Sequence, residues 1–251
     1  MLKRYNIYYN LGYWFLLLII LSFIGFYTTY FSVIFRPTVR IVHIHFILMM
    51  MWMLLLVVQP FLIKYKKPAV HRMLGKISYV LVPLVLTSAF LMLRHGYYRD
   101  LNLLQLPVAS GKSSLTSEQI FHQVRMSAAL PFIWFTWFIV CYLLAIINRR
   151  KSNAHARFML ATGLSLFGPI IDRIVFQIKN VANYFPPETG AFLLADIILL
   201  LLLWKDYKDK RPLKTLTTCL LIYIVGQALY FTIPPTSGWQ HFVAFVMKPS
   251  P

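Results

Sequence analysis

The sequence predicts an all-α polytopic membrane bundle of about seven transmembrane helices. Three observations point there. Of the 251 residues 59% are hydrophobic and only 13% are charged, more apolar surface than a soluble domain of this length can hide. Apolar runs of membrane-spanning length recur along the chain. Basic residues gather in alternate connections between those runs.

The runs fall at about 12–35, 41–63, 73–93, 126–147, 157–178, 187–204 and 213–233. The first follows a basic start and resembles a signal peptide only superficially. It is too long for a signal h-region and lacks a small-residue cleavage site, so a retained helix is expected. The sixth is the weakest, being short and carrying Asp196. The longest connection, about 94–125, is expected to hold a short amphipathic helix starting near Ser117, because Ser and Thr precede Glu118 there. The chain 1–251 reads as a single integral membrane domain, with no internal repeat and no separate soluble domain. Cys141 and Cys219 stand alone in apolar runs and read as small packing residues.

The net charge of +18 does not point to nucleic acid. Lys3 and Arg4, "KYKKPAVHRMLGK", "RRKSNAHAR" and "KDYKDKRPLK" hold 16 of the 25 Lys and Arg. They flank apolar runs, where basic residues set topology and meet anionic lipid headgroups. The expected place is the inner (plasma) membrane, with the N-terminus cytoplasmic, the C-terminus external and membrane lipids as the first partners.

Helical rise then sorts the ionisable residues by depth. His43, His45, Arg94, His95, His122, Arg125, Asp172 and Arg173 form an outer layer. His71, Arg72, His155 and Arg157 form an inner one. Plain structural roles compete with functional ones. Arg72, Arg94 and Arg157 near helix ends read first as snorkelling anchors. His43 and His45 point about 200° apart on a helix, so at most one faces the core. The run of Met49, Met50, Met51 and Met53 reads as packing or lipid-facing bulk. Asp172 and Arg173 lie roughly 22 Å along their helix. They are too deep for the interface, and each needs a partner elsewhere.

Two stretches, "HRMLGKISY" with the earlier His45, and "NAHARFMLATGLSLFGPIIDRIVF", carry a pattern. An early-helix His is followed by His-Arg-x-x-Gly-x-x-Tyr, then by a His-x-x-aromatic-Met stretch, then by an Arg. His45, then His71, Arg72, Gly75 and Tyr79, then His155 and Met159, and finally Arg173 stand at its positions. In this the chain resembles a widespread prokaryotic family of multi-pass membrane proteins of unknown function. The resemblance covers about 41–178 and implies a four-helix core made of the second to fifth spans. It implies no activity. Phe158 stands where that family has Trp, and Gln59-Pro60 where it has Gly-Pro; the first, sixth and seventh spans lie outside it.

Three function classes follow. The first is a membrane redox protein, with haem b or a quinone. Haem needs two imidazoles from different helices at one depth, with basic groups for the propionates. His45 with His122 or His95 would serve an outer haem, and His71 with His155 an inner one. Arg94, Arg125 or Arg173 would take the outer haem's propionates, and Arg72 and Asp172 complete the candidate cofactor-binding residues. The second class is a lipid- or small-anion-binding or transport protein around Asp172, Arg173 and Asp196. An accessory subunit of a larger membrane complex is a third. The seventh run offers no histidine, as a seven-helix metal hydrolase would require, and soluble-enzyme nucleophile motifs are absent. Whether the protein is an enzyme is left open.

Overall fold

A computed structural model describes residues 10–109, 114–178 and 186–248. All regular structure among them is helical. The helices are α1 (Leu11–Phe26), α2 (Arg40–Lys64), α3 (Pro68–Gly75), α4 (Ser78–Ala109), α5 (Ser117–Ser127) and α6 (Ala129–Ile147). They continue with α7 (Ser152–Leu164), α8 (Phe167–Gln177), α9 (Pro187–Lys208), α10 (Lys214–Thr232) and α11 (Ser237–Val246), and a single 3-10 turn, Phe31–Val33, follows α1.

Five segments are long and apolar enough to cross a membrane: Arg40–Lys64, Pro68–Val108, Ser117–Ile147, Ser152–Gln177 and Lys214–Thr232. At 16 residues α1 is shorter, and α9 places Glu188, Asp196, Lys205 and Asp206 in its 22 residues. Five such segments make the chain an integral membrane protein. Its outer surface bears large apolar side chains such as Leu54, Val80, Leu84, Leu143, Leu201 and Ile224, all exposed. Such a belt is soluble in hydrocarbon and insoluble in water.

Several helix ends depart from the expected boundaries. The first helix stops at Phe26 rather than reaching residue 35. The third run is preceded by its own short helix α3 and continues as α4 to Ala109, 32 residues that include Pro83 and Pro107. The fifth run breaks at Ser165-Leu166 into α7 and α8, with Pro169 in the first turn of α8, where a missing N–H costs nothing. The amphipathic helix near Ser117 forms as α5. Thr116 caps it: the hydroxyl accepts from Gln119 N–H (3.2 Å), while the Gln119 side chain accepts from Thr116 N–H (2.8 Å).

Side-chain contacts gather three of the basic segments at one end of the bundle; Lys3 and Arg4 lie outside the described residues. Lys64 donates to Asn10 at 3.3 Å, joining the end of α2 to the start of α1. His71 and His155 lie ring to ring, and Arg157 pairs with Asp206. Two helices stop at this basic end by the same device. Lys66 (φ 57°) and Lys210 (φ 54°) are left-handed. The next N–H groups, of Lys67 and Arg211, reach back to Leu62 O and Asp206 O, each at 2.8 Å. That is the Schellman stop, with lysine where glycine is usual. At the opposite end, Tyr30 shares a hydrogen bond with His43 (3.0 Å), and Arg94 donates to Lys248 O (3.1 Å).

The core between the ends is packed from α1, α2, α4, α6, α7, α8, α9 and α10. Trp52 meets Phe138 and Tyr142 edge to face, at 5.4 and 5.8 Å. Trp137 stacks on Tyr223 at 4.2 Å and donates to Ile222 O at 3.1 Å. Where α1 crosses α8, a Cβ on Gly25 would stand 2.8 Å from Ile170 O, so glycine alone permits that approach.

Candidate functional site

At the basic end, two histidines from different helices come together. His71 on α3 and His155 on α7 have ring centroids 6.3 Å apart and planes at 87°. Each is held by its Nδ1 side. A carbonyl can only accept, so the 2.9 Å contact of His155 Nδ1 with Ala145 O makes Nδ1 the donor. That leaves the lone pair of His155 on Nε2 when the ring is neutral. His71 is held by Gln59. With the Gln59 amide turned so that its oxygen accepts from Gly75 N–H (3.0 Å), its N donates to His71 O (3.2 Å) and to His71 Nδ1. This orientation makes His71 Nδ1 an acceptor and puts its proton on Nε2. A longer contact of His71 Nδ1 with Gln59 O, 3.4 Å, lies beside it. Neither Nε2 has a hydrogen-bond partner among the described residues. One imidazole edge thus offers a donor and the other an acceptor.

An apolar groove lies on the bundle surface between α4 and α6. Tyr79, Val82, Pro83 and Leu86 on α4 face Ile139, Tyr142, Leu143 and Ile146 on α6 across about 270 Å³. Tyr142 donates to Ser78 Oγ at 2.9 Å, and Ser78 donates to Gly75 O at 2.7 Å. Ala145, whose carbonyl holds His155, neighbours Ile146. The groove end therefore lies within about one helical turn of both imidazoles' supports. Pro83 has no N–H to give Tyr79 O, so that carbonyl has no helical donor within the groove wall.

The other candidate residues are distributed as follows. Arg72 is exposed beside His71. His45 sits on α2 with Nδ1 2.9 Å from Ser88 Oγ, which donates onward to Val85 O. The hydroxyl thus accepts from the ring. Arg173 acts electrostatically on His45, but its guanidinium donates to Pro169 O (2.9 Å) and stacks over Phe26 at 4.4 Å. Asp172 is 7% exposed. Its Oδ1 has no hydrogen-bond partner among the described residues, and the charges of Glu188 and Arg173 both act on it. Asp196 accepts twice from the Gln227 amide, at 3.0 and 3.1 Å. His122 lies apart from His45, on α5 at the outer cavity described below. No contact joins His45 to His122 among the described residues.

Two participants were not visible in the sequence as site residues. Gln59 is a lone amide in an apolar run, and only its contact with His71 gives it a role. Arg157, read as a snorkelling anchor, is instead 2% exposed and paired with Asp206, which is 1% exposed. The arginine is buried because α9 delivers a carboxylate to it from 49 residues away. Among the described residues no group of three or more His, Cys, Asp or Glu has the spacing to hold a metal ion. Compared with family models, curated proteins and solved structures, the chain matches none.

Proposed function

We propose that this is a quinone-linked redox protein of the inner membrane, taking the quinone headgroup at His71 and His155 and its apolar tail along the α4–α6 groove. The observation that carries this reading is the pairing of the two imidazoles with both Nδ1 atoms already engaged. A quinone oxygen accepts a hydrogen bond, and a quinol oxygen donates one. A site for both needs a donor and an acceptor at one oxygen, which His71 Nε2–H and His155 Nε2 supply. The groove is apolar and opens toward the lipid-facing surface, as a membrane-dissolved ligand requires. The electrons of such a couple need a second redox centre, which makes the protein a member of a larger membrane complex.

By the positive-inside rule the basic end faces the cytoplasm. In the same reading α1 and α9 also cross, giving seven spans with the C-terminus outside.

A second reading has its own support. Two imidazoles from different helices, each with Nδ1 held by the protein, are also how paired axial ligands of haem b are oriented. It requires the other tautomer of His71, with Nδ1 donating to Gln59 O and the Nε2 lone pair free.

The test is direct. Protein purified in mild detergent is extracted with organic solvent and assayed chromatographically for quinone, and its absorbance spectrum is recorded. The first reading expects co-purified quinone, lost in His155→Ala, and no Soret band. A Soret band with a pyridine haemochrome selects the second. Absence of both, with no binding of added short-chain quinone, overturns both.

A further inference from the structure

The opposite end of the bundle holds a second, larger cavity, and it goes beyond the redox reading. It measures about 580 Å³ and lies between α5 and the start of α11. The two walls are fixed to one another. Trp239 Nε1 on α11 donates to Arg125 O on α5 at 2.7 Å, and its ring meets Phe132 edge to face at 5.4 Å. Beneath them Ile120, Val124, Val243 and Met247 form a small buried core with Tyr97 and Leu101 of α4. Capping by Thr116 fixes the start of α5, and Thr236 accepts from Trp239 N–H at the start of α11 (3.3 Å). The cavity is therefore built from rigid elements that have their own core.

Its lining is chemically uneven. On α5, Glu118, His122 and Arg125 are four and three residues apart, on one helical face. They set a carboxylate at one end and a guanidinium at the other. Ser237, Gln240 and His241 face them from α11. Two side-chain atoms in this wall are buried without a hydrogen-bond partner among the described residues: Arg125 Nε and Gln240 Oε1. The Gln240 amide N is committed to Pro234 O at 3.0 Å, which fixes where Oε1 points. The Arg125 guanidinium is held over the Phe121 ring at 5.4 Å. Buried polar atoms of this kind cost free energy unless something pairs with them. One orphan is a donor next to a fixed cation. The other is an acceptor in a wall that also carries Glu118.

We infer that this cavity binds a zwitterion that pairs a phosphate with a primary ammonium, as in a phosphoethanolamine group. The phosphate accepts from Arg125, whose fork suits oxyanions, with His122 and His241 beside it. The ammonium donates to Gln240 Oε1 and Glu118. A phosphate alone would leave Gln240 Oε1 unanswered, and a bare amine would leave Arg125 Nε so. The cavity lies at the membrane end where lipid headgroups reside, so the group can arrive on an aminophospholipid or free in solution.

The experiment compares O-phosphoethanolamine with phosphocholine, which keeps the phosphate but has no N–H, by calorimetry on the purified full-length protein. In parallel, native mass spectrometry measures lipid retention after reconstitution with phosphatidylethanolamine or phosphatidylcholine. At least tenfold tighter binding of the ethanolamine form is expected, in the free compound, the lipid or both. Retention of the lipid alone identifies a headgroup site; binding of the free compound identifies a soluble ligand. Arg125→Gln should weaken both compounds at least tenfold. Glu118→Gln and Gln240→Leu should spare phosphocholine and erase the preference, and they carry the test if Arg125→Gln fails to fold. Equal binding of both compounds, or no binding of either, overturns the proposal. So does a preference that survives Glu118→Gln and Gln240→Leu.

Discussion

Arg157 and Asp206 form an ion pair sealed from solvent at the basic end of the bundle. Arg157 Nε and Nη2 both donate to Asp206 Oδ2, at 2.7 and 2.5 Å, and Arg157 Nη1 donates to Asn153 O at 2.9 Å. The second carboxylate oxygen faces Arg211 at 3.8 Å. This pair ties α7 to α9 just where the two basic loops meet. Removing one partner leaves a buried charge without its counter-charge, a loss of about 3–5 kcal/mol. Arg157→Met and Asp206→Leu should each lower the thermal midpoint in detergent sharply, and the double variant should recover most of the loss. If the double variant is no more stable than the two singles, the pair is not what Arg157 contributes.

The lysines that end α2 and α9 make a prediction of opposite sign. A left-handed residue with a Cβ costs about 1–2 kcal/mol relative to its right-handed form, and glycine avoids that cost at the price of a more flexible unfolded chain. Lys66→Gly and Lys210→Gly are expected to raise stability by up to about 1 kcal/mol each. Guanidinium or thermal unfolding of the detergent-solubilised protein reads the change. A loss in both variants would show that the lysine side chains, rather than the backbone stop, hold these ends.

Orientation offers a check that is independent of stability. Reporter tags on the N-terminus and within Arg149–Lys151 should both report the cytoplasm, and a C-terminal tag the outside. A cytoplasmic C-terminus with the other two tags inside would mean that α9, which carries Asp196, fails to cross, because each crossing changes the side on which the chain ends.

Much of this architecture was legible because its causes are local. Apolar run length gave five of the seven expected crossing segments, and Ser and Thr before Glu118 announced the start of α5. Arg173, too deep for the interface and needing a partner, finds one in Pro169 O. Other features were illegible because their causes are distant. Arg157 looks like any helix-end cation until Asp206 arrives beside it. The third helix was expected to end near residue 93. Its polar continuation, "RHGYYRDLNLLQLPVA", stays helical because Tyr97 and Leu101 are buried under α5 and α11, tertiary cover that a hydropathy window does not see. His71 and His155 were placed at one depth by helical rise, but Gln59, which orients one of them, gave no signal of its own.

Gln59 supplies the sharpest test of how the histidine pair works. Its amide N gives His71 Nδ1 a proton to accept, which keeps the ring's own proton on Nε2. Replacing Gln59 by Leu removes that hydrogen bond, a loss of about 1 kcal/mol in orientation, and should weaken retention of a quinone roughly fivefold. Replacing it by Glu does more. An ionised carboxylate accepts only, so Nδ1 becomes the donor and the lone pair moves to Nε2. Both imidazoles then offer acceptors, and an unprotonated quinone oxygen finds no donor between them. Gln59→Glu should therefore weaken quinone binding more than Gln59→Leu, although the side chains are closer in shape. The same change favours a metal, since two free Nε2 lone pairs are what paired imidazole ligation needs. Imidazole nitrogen shifts of ¹⁵N-histidine-labelled protein report the tautomer directly. A His71 protonated on Nε2 in the wild type and on Nδ1 in Gln59→Glu is the expected pattern. A His71 already protonated on Nδ1 in the wild type would remove the quinone's donor and turn the site over to the haem reading.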